Sequence, residues 1–274
     1  MHAIKMPFLP DLHTAAYLVF RARFFSFSTW LCIILATIVL IAAQFSGRQP
    51  TTVTVDIGLS AIRLSLPVVT VLLLQELLSR EFDRKLYLTS LTYPRPRHQF
   101  LLGRVAAIAL LMLGLLAVLG VLLAGLATWI GHGYAQSTPP DLGLPYLVTL
   151  AFIALDLLVV LAIGTLIAVT TTTPSFVLIG TLGFMLVARS YSAIVALLTR
   201  DSTLVGHADT YQSSLSLLGY LLPDLAALDV RMISLYGQWQ FLPEDWALRV
   251  VSALAYAAAL LGLSVWALNR KKFA

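Results

Sequence analysis

Apolar positions run in long blocks along this chain, and polar positions gather between the blocks. A helix needs about 20 mostly apolar residues to cross the hydrocarbon core of a bilayer. Six blocks meet that length: 26–45, 57–78, 105–130, 146–170, 175–198 and 250–268. They predict an all-α, polytopic membrane protein with six transmembrane helices, forming one membrane domain over 1–274. Trp30, Trp129, Trp246 and Trp266 stand near block ends, where interfacial tryptophans gather. The third block is apolar all round, so its pattern selects no face. Its small residues Gly114, Ala117, Gly120 and Ala124 permit close helix approach, and Gly120 and Ala124, four apart, share a face.

The segments between blocks carry patterns of their own. Residues 1–25 have an apolar face with basic ends, which predicts a helix lying in the membrane interface. Pro10 and Asp11 interrupt that stretch, so it does not read as a signal peptide. Residues 199–249 contain "LSLLGYLLPDLAALDVRMISLYG", apolar enough to tempt a seventh span. Pro223, Asp224, Asp229 and Arg231 argue against one. The expected form is a re-entrant or interfacial pair of short helices bent at Pro223, on the extracytoplasmic side, with its backbone covered by the spans.

The most charged segment is 79–104, "SREFDRKLYLTSLTYPRPRHQFLLGR". Its "EFDRKLYLTSL" predicts an amphipathic helix of about three turns. Phe82, Leu86 and Leu91 fall on the apolar side; Asp83, Arg84, Lys85 and Tyr87 fall on the water side. Pro94 and Pro96 break that helix, because a proline disfavours helix in the residue before it. "HQFLLGR" then restarts a helix leading into the third span.

Composition and charge orient these elements. Hydrophobic residues make up 59% of the chain and charged residues 11%, against about 25% charged in soluble domains. Basic residues mark the cytoplasmic loops. Lys5, Arg21 and Arg23 precede the first span. Arg80, Arg84, Lys85, Arg95, Arg97 and Arg104 follow the second, and Arg270, Lys271 and Lys272 follow the sixth. Six spans place all of these on one side, so both termini are expected in the cytoplasm. The opposite side has Arg48, Arg200, Arg231 and Arg249, with Asp56, Asp141, Asp201, Asp209, Asp224, Asp229, Glu244 and Asp245. The formal net charge of +5 is too small and too scattered to point to nucleic acid. The single cysteine, Cys32, excludes an internal disulfide.

The chain shows little chemistry of its own. A phosphate-binding P-loop needs Gly-Lys followed by Ser or Thr. The four lysines are Lys5, Lys85, Lys271 and Lys272, and none follows a glycine. Energy is therefore expected from a partner or an ion gradient, with no catalytic residue and no bound cofactor in this chain. His2, His13, His98, His132 and His207 are scattered without metal-ligand spacing, so no metal site is expected. Charges inside a span are costly and usually face an interior or a water-filled cavity. Arg63, Asp156 and Arg189 are the three that stand out. Arg63 lies about five residues from the outer end of the second predicted block, with Arg189 at similar depth. Two readings stay open. The arginines form a basic ring in a translocation path suited to an anionic group, or they are structural, with Asp156 paired to Arg189 or an arginine snorkelling to the headgroups. Gln75 and Glu76 read as helix-end residues.

The run "LLSREFDRKLYLTSLTYPRPRHQFLLGR" resembles the permease subunits of type-2 ABC exporters. Those have an acidic residue after the second span, a short coupling helix, a Pro and Arg, and an apolar "fLLGr" opening the third span. "LGYLLPDLAALDVRMISLYG" is similar to the family's extracellular segment before its last span, and the basic tail fits. The resemblance implies an exporter permease in a bacterial inner membrane, surrounded by lipid and paired with a second permease as homodimer or heterodimer. It also implies two cytosolic ATPase subunits that hold the ATP and Mg. Glu81, Asp83, Arg84 and Lys85 would then lie at the ATPase contact, with Tyr87 beside them. Many relatives have Gly-Thr after the acid where this chain has "DRK", so the partner's groove is expected to be specialised. The charges of the insert taken alone fit an orientation signal equally well. Two other classes stay open: a gradient-driven transporter or channel, which requires inverted repeats and midplane carboxylates, and a non-transporting membrane scaffold.

Overall fold

Long runs of Leu, Ile, Val and Ala satisfy their backbone groups internally as helix, the form that lets a single segment cross a bilayer. In the computed structural model, which describes residues 24–47, 49–79, 97–133, 139–171, 173–200 and 223–270, those runs are six long helices. They are α1 Phe24–Phe45, α2 Pro50–Leu74, α3 Arg97–Gly131, α4 Leu144–Thr170, α5 Pro174–Arg200 and α7 Trp246–Arg270. A six-residue helix, α6 Arg231–Tyr236, lies between α5 and α7, flanked by the 3-10 turns Ala226–Leu228 and Trp239–Phe241. No strand occurs among the described residues. Residues 1–23 of the expected interfacial helix and the amphipathic helix of the charged insert lie outside the described residues, while Phe24 and Phe25 already belong to α1.

Several helices begin earlier than their apolar blocks. α2 starts at Pro50 rather than 57. Proline at the first helical position is pre-organised for the turn and loses no needed N–H. Thr51, Thr52 and Thr54 depress the hydropathy there, yet all three are buried. α3 starts at Arg97 rather than 105, and α7 at Trp246 rather than 250. With 35 residues, α3 is about 52 Å long at 1.5 Å per residue, which carries it well beyond a bilayer core.

α2 and α4 form the centre of the bundle. In α4, 72% of the most apolar stretch is buried, against 11% in α1. α2 packs on α1, α3, α4 and α5, while α4 packs on α3, α5 and α7. Glycines sit where backbones come closest. A Cβ on Gly164 of α4 would lie 2.6 Å from Leu74 Cδ1 and 3.2 Å from Thr181 Cγ2, so α4 meets α2 and α5 there without a side chain between. Gly120 of α3 faces α4: Tyr146 Oη donates to its carbonyl at 2.8 Å. Gly114 meets open space, so the small residues of α3 do not form one continuous packing stripe.

Residues 223–242 fold onto the end of the bundle at which α2, α4 and α7 begin. Leu225, Leu228, Val230, Ile233 and Leu235 are all buried, against α4, α5 and α2. Six residues of α6 reach only about 9 Å, so this segment contributes no seventh span. Its backbone groups find partners. Asp224 Oδ1 accepts from Ala227 N at 3.1 Å, and Asp141 N donates to Ser234 O at 2.8 Å. Gly237 closes α6 in the left-handed region, φ 64°, with its N–H on Ile233 O at 2.9 Å. That is the αL cap at which glycine avoids a Cβ penalty.

Candidate functional site

Three ionisable side chains inside the bundle, Arg63, Asp156 and Arg189, meet at one level. Arg63 is thirteen residues into α2, Asp156 twelve into α4, and Arg189 eleven from the end of α5. At 1.5 Å per residue all three lie roughly 16–20 Å from the end that carries residues 223–242. Arg63 is therefore deeper than the block boundary at 57 implied, because α2 begins seven residues earlier.

Asp156 is the hub. It is 2% exposed, and its Oδ2 accepts from Arg189 Nη2 at 2.5 Å and from Arg63 Nε at 3.5 Å. Arg63 spends its other nitrogens on the 223–242 segment. Its Nη1 lies 2.5 Å from Asp229 Oδ2, and its Nη2 donates to Leu225 O at 2.6 Å. Arg189 Nη2 also donates to Arg63 O at 3.1 Å. Arg231 continues the chain, with Nε 3.6 Å from Asp229 Oδ2 and Nη1 3.0 Å from Asp56 Oδ1, and with a further bond to Ser60 Oγ. The result is an alternating ladder: Arg189, Asp156, Arg63, Asp229, Arg231, Asp56. It binds α5, α4, α2 and the 223–242 segment together.

The ladder changes character along its length. Asp156 is sealed, Arg63 and Arg189 are 13% and 18% exposed, and Asp229, Arg231 and Asp56 are 30–44% exposed. Buried pairs in low dielectric depend on each partner, since removing one strands a charge. Exposed pairs contribute only about 0–1 kcal/mol. The deep rungs therefore hold the helices, while the outer rungs hold the 223–242 segment loosely. Two buried atoms of the ladder lack a hydrogen-bond partner among the described residues, Asp156 Oδ1 and Arg189 Nε. Beside the ladder is an open cleft of about 400 Å³, lined by Ser60, Arg63, Leu64, Arg189, Ala226, Asp229 and Arg231.

Sequence reasoning singled out Arg63, Asp156 and Arg189, and the structure brings all three into contact. It missed Asp56, Ser60, Asp229 and Arg231 as members of the same group. The signal for the first two was present: Asp56, Ser60 and Arg63 are spaced four and three apart, which places them on one face of a helix. Asp229 and Arg231 were read only as obstacles to a span. Their partners lie about 170 residues away, so no local pattern reveals them.

At the opposite end of the bundle, α2 widens into a π turn over Gln75–Ser79. Such turns leave carbonyls free for other donors. Buried Arg104 of α3 donates Nη1 to Leu77 O at 2.8 Å, and its guanidinium lies over the Phe100 ring at 4.2 Å. The two roots of the charged insert are thus tied to each other. Glu81, Asp83, Arg84, Lys85 and Tyr87 lie outside the described residues. Among the described residues no three His, Cys, Asp or Glu side chains are grouped as metal ligands.

These features define an integral membrane protein of six long apolar helices, with a buried charge ladder and a short helical segment closing one end of the bundle. Compared with known protein families and with curated proteins, the chain matches none.

Proposed function

We propose that this chain is the permease subunit of an ATP-driven transporter of the type-2 ABC exporter class. The observation that carries the reading is the bond from Arg104 to Leu77 O across the base of residues 80–96. A force applied to the insert reaches α2 and α3 together, and α2 runs directly to Arg63 and the ladder. The insert's "EFDRKLYLTSL" and double proline have the sequence pattern expected of a coupling helix. The chain has no Gly-Lys from which to build a P-loop, so ATP and Mg belong to a cytosolic ATPase, present in two copies. Glu81, Asp83, Arg84, Lys85 and Tyr87 form the contact with it. A second permease completes the assembly, in a bacterial inner membrane with both termini cytoplasmic and residues 199–249 outside. The gradient-driven alternative has less support. Its best carboxylate, Asp156, is already bridged by two guanidinium groups, which leaves it poorly suited to carry a cation.

The test uses charge reversal in the insert. Tagged chain is purified in mild detergent from its native host, as wild type and as Arg84→Glu/Lys85→Glu. An ABC-type ATPase is expected with the wild type and is expected to be lost from the variant. Single charge removals should be mild, because exposed pairs contribute little. Lys271→Glu/Lys272→Glu is the control, equal in charge but distant from the proposed contact. Arg270 is spared because it stacks on Trp266 at 4.4 Å. If the insert variant keeps its ATPase and its transport, the charges serve only to orient the chain.

A further inference from the structure

The ladder is neutral as a whole, but its charges are not evenly presented to the cleft. Arg63, Arg189 and Arg231 all line the wall, while Asp229 is the one carboxylate that does. Asp156 lies sealed beneath, and Asp56 is off the wall. Three positive groups against one negative group make the surface of the cleft cationic. Low-dielectric walls strengthen that field.

The donors are also unequally committed. Arg63 uses Nε, Nη1 and Nη2 on Asp156, Asp229 and Leu225 O. It contributes charge at the base of the cleft and has little left to donate. The bonds of Arg189 within the described residues run through Nη2, and those of Arg231 through Nε and Nη1. Arg189 Nη1 and Arg231 Nη2 are therefore available, one from α5 and one from α6, on either side of Arg63. The Ser60 hydroxyl is already engaged, donating to Asp56 O at 2.7 Å and accepting from Arg231. Guanidinium forks converging from several directions suit a compact anion with several oxygens. A volume of about 400 Å³ falls in the usual range of small-molecule sites, roughly 300–1,000 Å³.

We propose that this cleft binds a phosphate ester, held by Arg189 and Arg231 over the charge of Arg63, with the 223–242 segment as its outer wall. The anion enters by displacing Asp229 from Arg231, the weakest internal rung at 3.6 Å. The phosphate comes either from a lipid headgroup or from a water-soluble ester. Calling it a substrate site rests on the transporter reading; the binding itself does not, and it is read on the isolated chain without any ATPase.

The experiment is calorimetric titration of the purified full chain in a neutral maltoside detergent. The probes are inorganic phosphate and dihexanoyl phosphatidylglycerol, with acetate as the simple carboxylate. Saturable binding of phosphate or of the lipid is expected, with acetate at least tenfold weaker. Much tighter binding of the lipid assigns the site to a headgroup; equal binding assigns it to soluble esters. Arg231→Gln should weaken binding about tenfold or more, as expected for one charge-assisted hydrogen bond, and Arg231→Lys should recover part of it. Asp56→Asn should strengthen binding several-fold, because it removes a carboxylate that competes with the anion for Arg231. That second variant keeps the test decisive if Arg231→Gln does not fold. The proposal is overturned if neither phosphate nor the lipid binds saturably, if acetate binds as tightly, or if binding is indifferent to Asp56→Asn.

Discussion

Asp156 is a carboxylate in the middle of a helix bundle, and its two arginines are the reason it is tolerated there. Neutralising it as Asp156→Asn leaves Arg189 and Arg63 facing a neutral amide in low dielectric. Breaking a buried pair in this way costs about 3–5 kcal/mol. The expected outcome is a large fall in the temperature at which the detergent-solubilised chain stays monodisperse. Arg189→Leu should be similarly damaging. The double variant Asp156→Asn/Arg189→Leu should lose clearly less than the two singles combined, because both charges leave together and Arg63 keeps Asp229. The cycle is closed by measuring all four proteins. If instead the singles keep their stability and lose only transport, the charges act on a ligand rather than on the fold. At this scale the three buried charges were legible in the sequence because a charge in an apolar run is conspicuous. The pairing of Asp229 with Arg63, and of Arg231 with Asp56, was not, because the partners lie far apart along the chain.

The helices hold to one another through close approach as well as charge. Gly164 is the sharpest case, since Thr181, a β-branched residue buried on α5, stands 3.2 Å from where a Cβ would be. Leu74 could swing its methyl aside; Thr181 has little freedom. Gly164→Val should therefore overpack the contact among α4, α2 and α5 and destabilise by about 1–3 kcal/mol. Gly183→Ala on α5 is the control, since nothing lies within 4 Å of its Cβ position, and it should be neutral. Thermal retention of the monodisperse peak reads both. Helix existence was plain from the apolar blocks. Helix starts were not, because hydropathy scores the threonines of α2 as polar whereas burial against neighbouring helices makes their methyl groups part of the packing.

The whole molecule has two unlike ends. One carries the ladder, the cleft and the 223–242 segment; the other carries the π turn, Arg104 and the roots of the insert. The proposed topology puts the first end outside the cytoplasm and the second within it. A test starts from Cys32→Ala, which removes the one native thiol. Single cysteines are then placed at Ser213 and at Ser79. An impermeant maleimide applied to intact cells should label the first and spare the second. The reverse pattern would invert the orientation and remove the cytosolic contact on which the ATPase reading depends.

The sequence by itself determined that this is a membrane protein and where the six long apolar helices of the described residues lie. Both follow from the free energy of placing apolar runs in hydrocarbon, which is a local sum over about 20 residues. It also marked Arg63, Asp156 and Arg189, because any charge inside such a run must be compensated. What it left open was the compensation. Whether an arginine snorkels, pairs with one acid or bridges two depends on which helices lie side by side and at what level. Only the tertiary structure decided that Asp156 serves both arginines and that Arg63 also secures Asp229 and the Leu225 carbonyl. Ion pairing acts over a few ångströms in space and is indifferent to the 93 or 162 positions separating partners along the chain, so no window of sequence contains it.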